Sequence, residues 1–182
     1  ESHVDNSIVN PNIFIETNVK GVLELMKVAC RFWMDKNFNY KNEFLNSRFH
    51  QISTDEIYGS INFGSFKENH QYRPNSPYSA SKASADMLVR SFNITYGLNT
   101  SISVSSNNFG KNQNNEKFIP KIIECIRSKS EIPVYGDGKN VRDWVFVNDN
   151  CRAIDLIFNN GKSGEQYNVG ANNEITNLDL IK

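Results

Sequence analysis

Two short runs of this 182-residue chain carry side chains that can exchange protons. The first is Ile52-Ser53-Thr54-Asp55-Glu56-Ile57-Tyr58-Gly59, which follows the partly apolar run Arg48-Phe49-His50-Gln51-Ile52. The apolar run reads as a buried strand and the Tyr-Gly pair as a turn, so a hydroxyl and two carboxylates stand where a strand ends. In an open parallel α/β sheet that edge is where ligands bind. Adjacent carboxylates repel when both are ionised, so one is expected to keep a proton near neutral pH, giving an acid beside a base. Taken alone, the run reads equally well as a polar turn. The second run is Tyr78-Ser79-Ala80-Ser81-Lys82. On a helix its phenol and amine, four residues apart, share one face. An ammonium near a phenol favours the phenolate, so the Tyr78 pKa is expected to fall and the residue to serve as a base. Taken alone, this pair reads more readily as an exposed pair on a solvated helix.

The elements that must position these residues follow from periodicity. Residues 1–11 have a loop composition. Val19, Val22, Met26, Cys30 and Trp33 recur at spacings of three and four, which predicts a helix over about 12–34. Residues 35–47 read as a surface connection, 48–53 as the strand that delivers the carboxylates, and 59–77 as a long loop. A second helix is expected over 78–96, burying Ala80, Ala83, Met87, Leu88 and Phe92 and ending at Gly97. Residues 101–105 alternate with period two and read as a strand, and 107–110 as a loop. Helix is expected over 119–129, with Pro120 in its first turn. Extended segments are expected at 132–135 and 141–147, a helix capped by Asp149 up to about Asn160, and a strand at 167–170. Helices alternating with strands at crossover lengths argue for an α/β parallel sheet.

Composition narrows the function classes. Twenty basic and twenty acidic residues balance, so nothing points to nucleic acid or to a membrane surface. No apolar run approaches the roughly 20 residues that span a bilayer. Cys30, Cys125 and Cys151 are odd in number and far apart, and they read as reduced thiols of a cytoplasmic protein with no metal-ligand spacing. His3, His50 and His70 form no ligand set; His50 is expected to pack on its strand and His70 to lie in a polar loop. The chain opens Glu1-Ser2-His3 without Met and stops at Leu180-Ile181-Lys182 inside an expected helix, so it is expected to be a piece of a longer polypeptide.

The combination of a strand ending in Ser-Thr with a Tyr-x-x-x-Lys helix about two dozen residues later resembles the short-chain dehydrogenase/reductase superfamily, in its extended branch acting on nucleotide sugars. Within that branch, Ser53-Thr54-Asp55-Glu56-Ile57-Tyr58-Gly59 is similar to the signature of the dTDP-glucose 4,6-dehydratases. Further matches are Glu1-Ser2-His3-Val4-Asp5, Phe14-Ile15-Glu16-Thr17-Asn18, Ser76-Pro77-Tyr78-Ser79-Ala80-Ser81-Lys82, Ser106-Asn107-Asn108-Phe109-Gly110, Val141-Arg142-Asp143-Trp144 and Gly164-Glu165-Gln166-Tyr167-Asn168-Val169-Gly170. Related epimerases and decarboxylases keep the Tyr and Lys but usually lack Asp-Glu after the Thr.

The resemblance implies a partial NAD-binding Rossmann-like sheet over 1–110, and a smaller nucleotide-sugar-binding domain, mainly 111–182, interleaved with it. It implies dehydration of dTDP-glucose to a 4-keto-6-deoxy sugar, with bound NAD regenerated. Tyr78 would take the C4 hydroxyl proton, and Lys82 would lower the Tyr78 pKa and hold the nicotinamide ribose. Thr54 would bond the sugar near O4, Glu56 would take the C5 proton, and Asp55 would protonate the departing C6 hydroxyl. Elimination needs an acid and a base together, which two carboxylates with separated pKa values supply. Thr17, Ser53 and Asn108 would touch NAD, and Ser2 and Asn107 the sugar. Lys117, Phe118, Pro133, Val134, Tyr135, Arg142 and Asn177 would line the nucleotide-diphosphate side, where a guanidinium suits phosphate oxygens. Taken singly, each has a plainer surface or capping role: Asn177 as a helix cap, Tyr135 as core. A homodimer through the helices at 12–34 and 78–96 is implied as well, with Phe32, Trp33, Met34 and Phe92 read equally as interface or as core. Two alternatives stay open: a 4-epimerase or dehydratase acting on a UDP-linked sugar, and a piece that is inactive on its own.

The chain also departs from the family pattern. The G-x-x-G-x-x-G turn that holds the NAD pyrophosphate at a helix N-terminus is missing, and Gly59, Gly64, Gly97 and Gly110 do not approximate it. The 182 residues alone are therefore expected to bind NAD poorly. The loop before Pro77 is shorter than expected of bacterial relatives, and Phe109 stands where Tyr is more usual.

Overall fold

The structure, a computed structural model, describes residues 1–134 and 136–182. Tyr135, expected on the nucleotide side, lies outside the described residues. In chain order the elements are α1 (Val4–Val9), α2 (Pro11–Phe14), a π-helical segment (Ile15–Lys20), α3 (Gly21–Trp33), a 3-10 turn (Asn42–Phe44), β1 (Phe49–Thr54), a second 3-10 turn (Asp55–Tyr58), α4 (Pro77–Tyr96), β2 (Thr100–Ser105), β3 (Asn107–Phe109), α5 (Phe118–Ser128), β4 (Val141–Phe146), α6 (Val147–Asn160), β5 (Gln166–Val169), β6 (Glu174–Thr176) and α7 (Asn177–Ile181). They form two compact units. One is Glu1–Ser105 with Ile154–Asn168; the other is Ser106–Ala153 with Val169–Lys182.

The first unit is built on a sheet of order β1-β2-β5. β1 and β2 run parallel, from Phe49 opposite Thr100 to Thr54 opposite Ser105. The amide of Ile102 bonds Glu165 O and that of Ser106 bonds Val169 O, so β5 advances along β2 in the same direction. The expected α/β parallel sheet is present. Its core gathers Met26, Ala29 and Met34 with Ile57, Tyr58, Ala83, Val89, Phe92, Leu98, Ile102 and Val104. Met34 and Phe92 are therefore core, with Trp33 packed against them, while Phe32 is 63% exposed.

The expected helix over 12–34 is one helical run with a wider π segment inside it. Pro11 starts it, at a position where the missing N–H costs nothing. At its far end the Lys41 ammonium bonds Phe32 O at 2.8 Å, supplying a donor to a terminal carbonyl. Residues 4–9, read as loop, are the short helix α1, with His3 accepting the Asn6 amide as its N-cap. The loop reading missed that local cap.

α4 starts at Ser76, whose hydroxyl takes the Ser79 amide while Ser79 answers back to the Ser76 amide. It ends at Gly97, left-handed at φ 72°. Its buried set differs from the apolar pattern: Ser79, Ser81, Ala83, Ala85, Asp86, Val89 and Phe92 are buried, and Met87 is 58% exposed. The helix is packed on more than one side, against the sheet and against the helical run 4–20, so polar residues that find hydrogen bonds are enclosed.

β1 is likewise not a plain apolar strand. Gln51 and Ser53 are buried and Ile52 is 51% exposed. At its start Arg48 reaches the C-terminal end of α6, with Nη1 on Ile157 O and Phe158 O and Nη2 on Gly161 O, while Nε bonds Asn99. A guanidinium thus caps three terminal carbonyls where the helix dipole is negative. His50 does pack on its strand, between the Ser101 and Ser103 hydroxyls at 2.9 and 3.1 Å.

The second unit holds a sheet of order β3-β4-β6, with β3 parallel and β6 antiparallel to β4. Residues 107–109, read as loop, are the strand β3, pairing Asn107 with Trp144. Residues 132–134 form no regular strand. Asp149 lies in the first turn of α6, which begins at Val147, so Asp149 follows the cap position. Thr176 caps α7 by accepting the Asp179 amide at 3.0 Å, and Asn177 is its first residue. Asp143 takes the amides of Ala171 and Asn173, both at 2.7 Å, and fixes the turn leading into β6.

Candidate active site

At the C-terminal end of β1, Thr54 is extended and its Oγ1 accepts the Glu56 amide at 3.3 Å. This local bond turns the chain into one 3-10 turn, and Asp55 and Glu56 are its first two residues. The turn closes at Gly59, whose φ of 85° and close approach to Arg73 exclude a side chain: a Cβ there would stand 2.3 Å from Arg73 O. The loop that follows is held in place. Arg73 donates its amide to Ile57 O, and the Tyr58 hydroxyl, Tyr72 hydroxyl, Gln166 and Asn168 form one hydrogen-bonded set with the loop carbonyls of Phe66 and Glu68. That loop delivers Ser76 and so fixes where α4 starts.

The first turns of α4 bring Tyr78 to the carboxylates. Burial pushes the Tyr78 phenol up to about 12, the charges of Glu56 and Asp55 add to the rise, and hydrogen bonding with Thr54 opposes it. The sequence-based expectation that this pKa falls is therefore corrected. The phenol is screened from water and faces the two carboxyl groups, while the Lys82 ammonium bonds Ile52 O at 2.6 Å. Burial lowers the Lys82 pKa, and the charge of Asp86 works against that. The structure thus gathers Thr54, Asp55, Glu56 and Tyr78, and sets Lys82 one helical turn along.

Ser53, expected at the cofactor, is buried with its hydroxyl donated to Asp86. Neighbours on a strand point to opposite faces, which separates Ser53 from Thr54. Thr17 is exposed on the π segment, and Ser2 is exposed before α1. Three residues missed in the sequence support this group. Asn18, on the π segment, donates to Ser81 Oγ at 3.0 Å, and Ser81 in turn donates to Tyr78 O at 2.7 Å. Asp86 lies one turn beyond Lys82. The Tyr-Lys spacing of four, continued once more, reaches Asp86, and that was the available signal. π segments recur at functional sites, and this one carries Thr17 and Asn18.

In the second unit, Asn107 and Asn108 lie on β3. Their Oδ1 atoms, Ser106 Oγ, Gln113 Oε1 and Trp144 Nε1 are shielded from solvent and make no hydrogen bond among the described residues. Buried polar groups are normally paired, so a cluster of unpaired ones suits a ligand that brings partners. Phe118 opens α5 and stacks on Trp144 at 6.4 Å between centroids. Lys117, at the N-cap of α5, lies 3.9 Å from Glu116. Pro133 and Val134 are exposed. Arg142 is exposed, its Nη1 bonding Val141 O at 2.9 Å.

Comparison with known proteins adds to this geometry. The model of the family described as GDP-mannose 4,6 dehydratase matches residues 1–182. The dTDP-glucose 4,6-dehydratase of Salmonella typhimurium is 45% identical over the whole of this chain, which covers 52% of it. The crystal structure of a dTDP-glucose 4,6-dehydratase from Streptomyces venezuelae, solved with NAD bound, superposes with a TM-score of 0.91 at 41% identity, over all of this chain and 52% of that one. A UDP-glucose 4-epimerase from Thermotoga maritima, solved with UDP-glucose, gives 0.86 at 26% identity, over all of this chain and 56% of its own. The chain spans about half the length of the curated relatives it matches. Matched from its first residue to its last, and with the α/β parallel sheet those structures share, the chain belongs to the GDP-mannose 4,6 dehydratase family.

Proposed function

We propose that the protein to which this chain belongs dehydrates dTDP-glucose to dTDP-4-keto-6-deoxyglucose with tightly bound NAD. The observation that carries the reading is that the first turns of α4 set the Tyr78 phenol beside the turn holding Thr54, Asp55 and Glu56. A reductase-type tyrosine alone serves many reactions. A carboxylate pair beside it serves one that must remove a proton and protonate a leaving group together. The same family resemblance and the relatives' names point to this substrate.

The residues fit NAD. The half-buried Lys82 ammonium suits a ribose hydroxyl. In the second unit, the unpaired Asn108 Oδ1 suits an amide donor. We assign Thr17, Tyr78, Lys82 and Asn108 to holding NAD. Ser53 acts on this group from beneath, through Asp86. When bound, NAD would supply the acceptor for the C4 hydride and the donor that returns it to C6. Tyr78 removes the C4 hydroxyl proton at its phenolic oxygen while Thr54 orients O4. The new ketone acidifies C5–H, Glu56 takes that proton, and Asp55 protonates the departing C6 hydroxyl. A phenol near 12 needs positive charge beside it to act at neutral pH. With Lys82 in place the phenol still stands near 12, so the further charge would come from an oxidised nicotinamide ring.

We assign the sheet of the first unit to the cofactor side and the second unit to the nucleotide sugar. Asn107 with Ser2 would contact the sugar. Lys117, Phe118, Pro133, Val134, Tyr135, Arg142 and Asn177 would contact the nucleoside diphosphate. We also assign a homodimer through α3 and α4, on which Leu25, Val28, Phe32, Met87 and Ile94 are exposed. The test is incubation of the complete protein with dTDP-glucose and, separately, UDP-glucose. Appearance of the alkali-absorbing keto sugar from dTDP-glucose supports dehydration, and an epimerised sugar with no keto product overturns it.

A further inference from the structure

We propose that Asp86 is a positioning residue that works through Lys82 and Ser53: its buried carboxylate is the counter-charge that keeps the Lys82 ammonium protonated and fixed on the Ile52 carbonyl. Tyr78, Lys82 and Asp86 stand at successive intervals of four on α4, so they share one helical face. Asp86 is 1% exposed, and the Ser53 hydroxyl donates to its Oδ2. A buried carboxylate without a cationic partner is costly, and Lys82 is the cation of its surroundings.

The coupling is reciprocal. Burial lowers the Lys82 pKa and the charge of Asp86 raises it. Burial pushes the Asp86 carboxyl up to about 6, while the Ser53 hydrogen bond, the Lys82 charge and the Gln51 side chain pull it back. Lys82 and Tyr78 face Asp86 from α4 itself, Tyr58 from the 3-10 turn, Tyr72 from the loop, and the neutral Ser53 and Gln51 from β1. Of these only Lys82 is cationic, and the tyrosines are neutral at physiological pH because burial raises each of them. Protonating Asp86 therefore strips Lys82, one turn along from the phenol, of its counter-charge. That gives the site a dependence on pH that neither Tyr78 nor Lys82 alone would show.

The inference deepens the dehydratase reading, on which the role of Lys82 rests, and its test does not depend on turnover. In the complete protein, lysines are converted to their 13C-dimethyl forms, which keep their charge, and the Lys82 resonance is assigned by comparison with Lys82→Arg and followed against pH by NMR. The wild-type resonance is expected to show a small inflection near pH 6, from Asp86, before its own ionisation. Asp86→Asn is expected to abolish that inflection and to lower the Lys82 pKa by about one unit, with Asp86→Glu restoring both. An unchanged Lys82 titration in Asp86→Asn overturns the assignment. So does a wild-type resonance without the inflection, which can be read even if the variant does not fold. If the protein converts some other nucleotide sugar, the lysine titration is unaffected, so failure of the substrate reading and failure of this one are told apart.

Discussion

At the scale of single residues, the site works by placing charges where water is thin. Two carboxylates follow Thr54, and Tyr78 is raised to about 12 by burial and by their charge. Glu56→Gln removes one of those charges, so the Tyr78 phenol is expected to titrate at lower pH than in the wild type, read by NMR of 13Cζ-labelled tyrosine. An unchanged titration would separate the two groups. Asp86 makes a second prediction, with the opposite sign to the usual carboxylate. Its folded pKa of about 6 lies above its ordinary value of 3.8, so the folded chain holds the proton more tightly. The stability this gives is fully present below the ordinary value and is lost as pH rises through about 6. Asp86→Asn escapes that loss. It is expected to be more stable than the wild type at pH 7.5 by about 1 to 3 kcal/mol, with the gain shrinking towards pH 5, as read by urea unfolding. A purely structural aspartate gives a loss at both pH values. The Thr-Asp-Glu and Tyr-x-x-x-Lys groups were legible because the proton chemistry proposed for them needs particular residue types at particular spacings. Asp86 and Asn18 were not, because a buried polar residue betrays itself only through partners that are distant in sequence, Ser53 and Ser81.

At the scale of elements, three local devices aim these residues. The Thr54 hydroxyl starts the 3-10 turn, the Ser76–Ser79 reciprocal cap starts α4, and Gly59 lets the loop at Arg73 close over the turn. Gly59→Ala puts a methyl 2.3 Å from a backbone oxygen at a φ of 85°, so the turn or the loop must move. Stability is expected to drop by about 2 kcal/mol or more, with turnover falling further than nucleotide binding. Arg48→Ala removes the guanidinium from three carbonyls at the end of α6. A loss of about 2 kcal/mol in urea unfolding is expected, without a change in the pH profile of turnover. The helix over 12–34, α4 with its Gly97 stop, β2 and α5 were legible from periodicity and caps. The π segment was not, since it keeps the helical pattern while widening one turn, and the buried face of α4 was misjudged because serine and aspartate replace apolar residues there. β3 was read as a loop because three residues show no period.

At the scale of the molecule, the chain divides into two units whose boundaries cut across the sequence, so that Ile154–Asn168 returns to the first unit. Sequence order alone does not reveal such a return, because β5 declares its place only by pairing with β2. On the exposed apolar stripe of α3 and α4, the double variant Phe32→Asp with Met87→Asp is expected to halve the mass measured by light scattering while leaving the circular dichroism unchanged. An unchanged mass would remove this face as the contact. The central claim is that the Asp55–Glu56 pair beside Tyr78 makes this a site of elimination. Its most direct test is to incubate the complete protein with dTDP-glucose in deuterated water and follow the sugar by proton NMR, in the wild type and in Glu56→Gln. The wild type is expected to yield a 4-keto-6-deoxy sugar carrying solvent deuterium at C5, and Glu56→Gln is expected to bind the nucleotide sugar without exchanging C5. Exchange at C5 that survives in Glu56→Gln, or a C4-epimerised product that keeps its oxygen at C6, would contradict the claim.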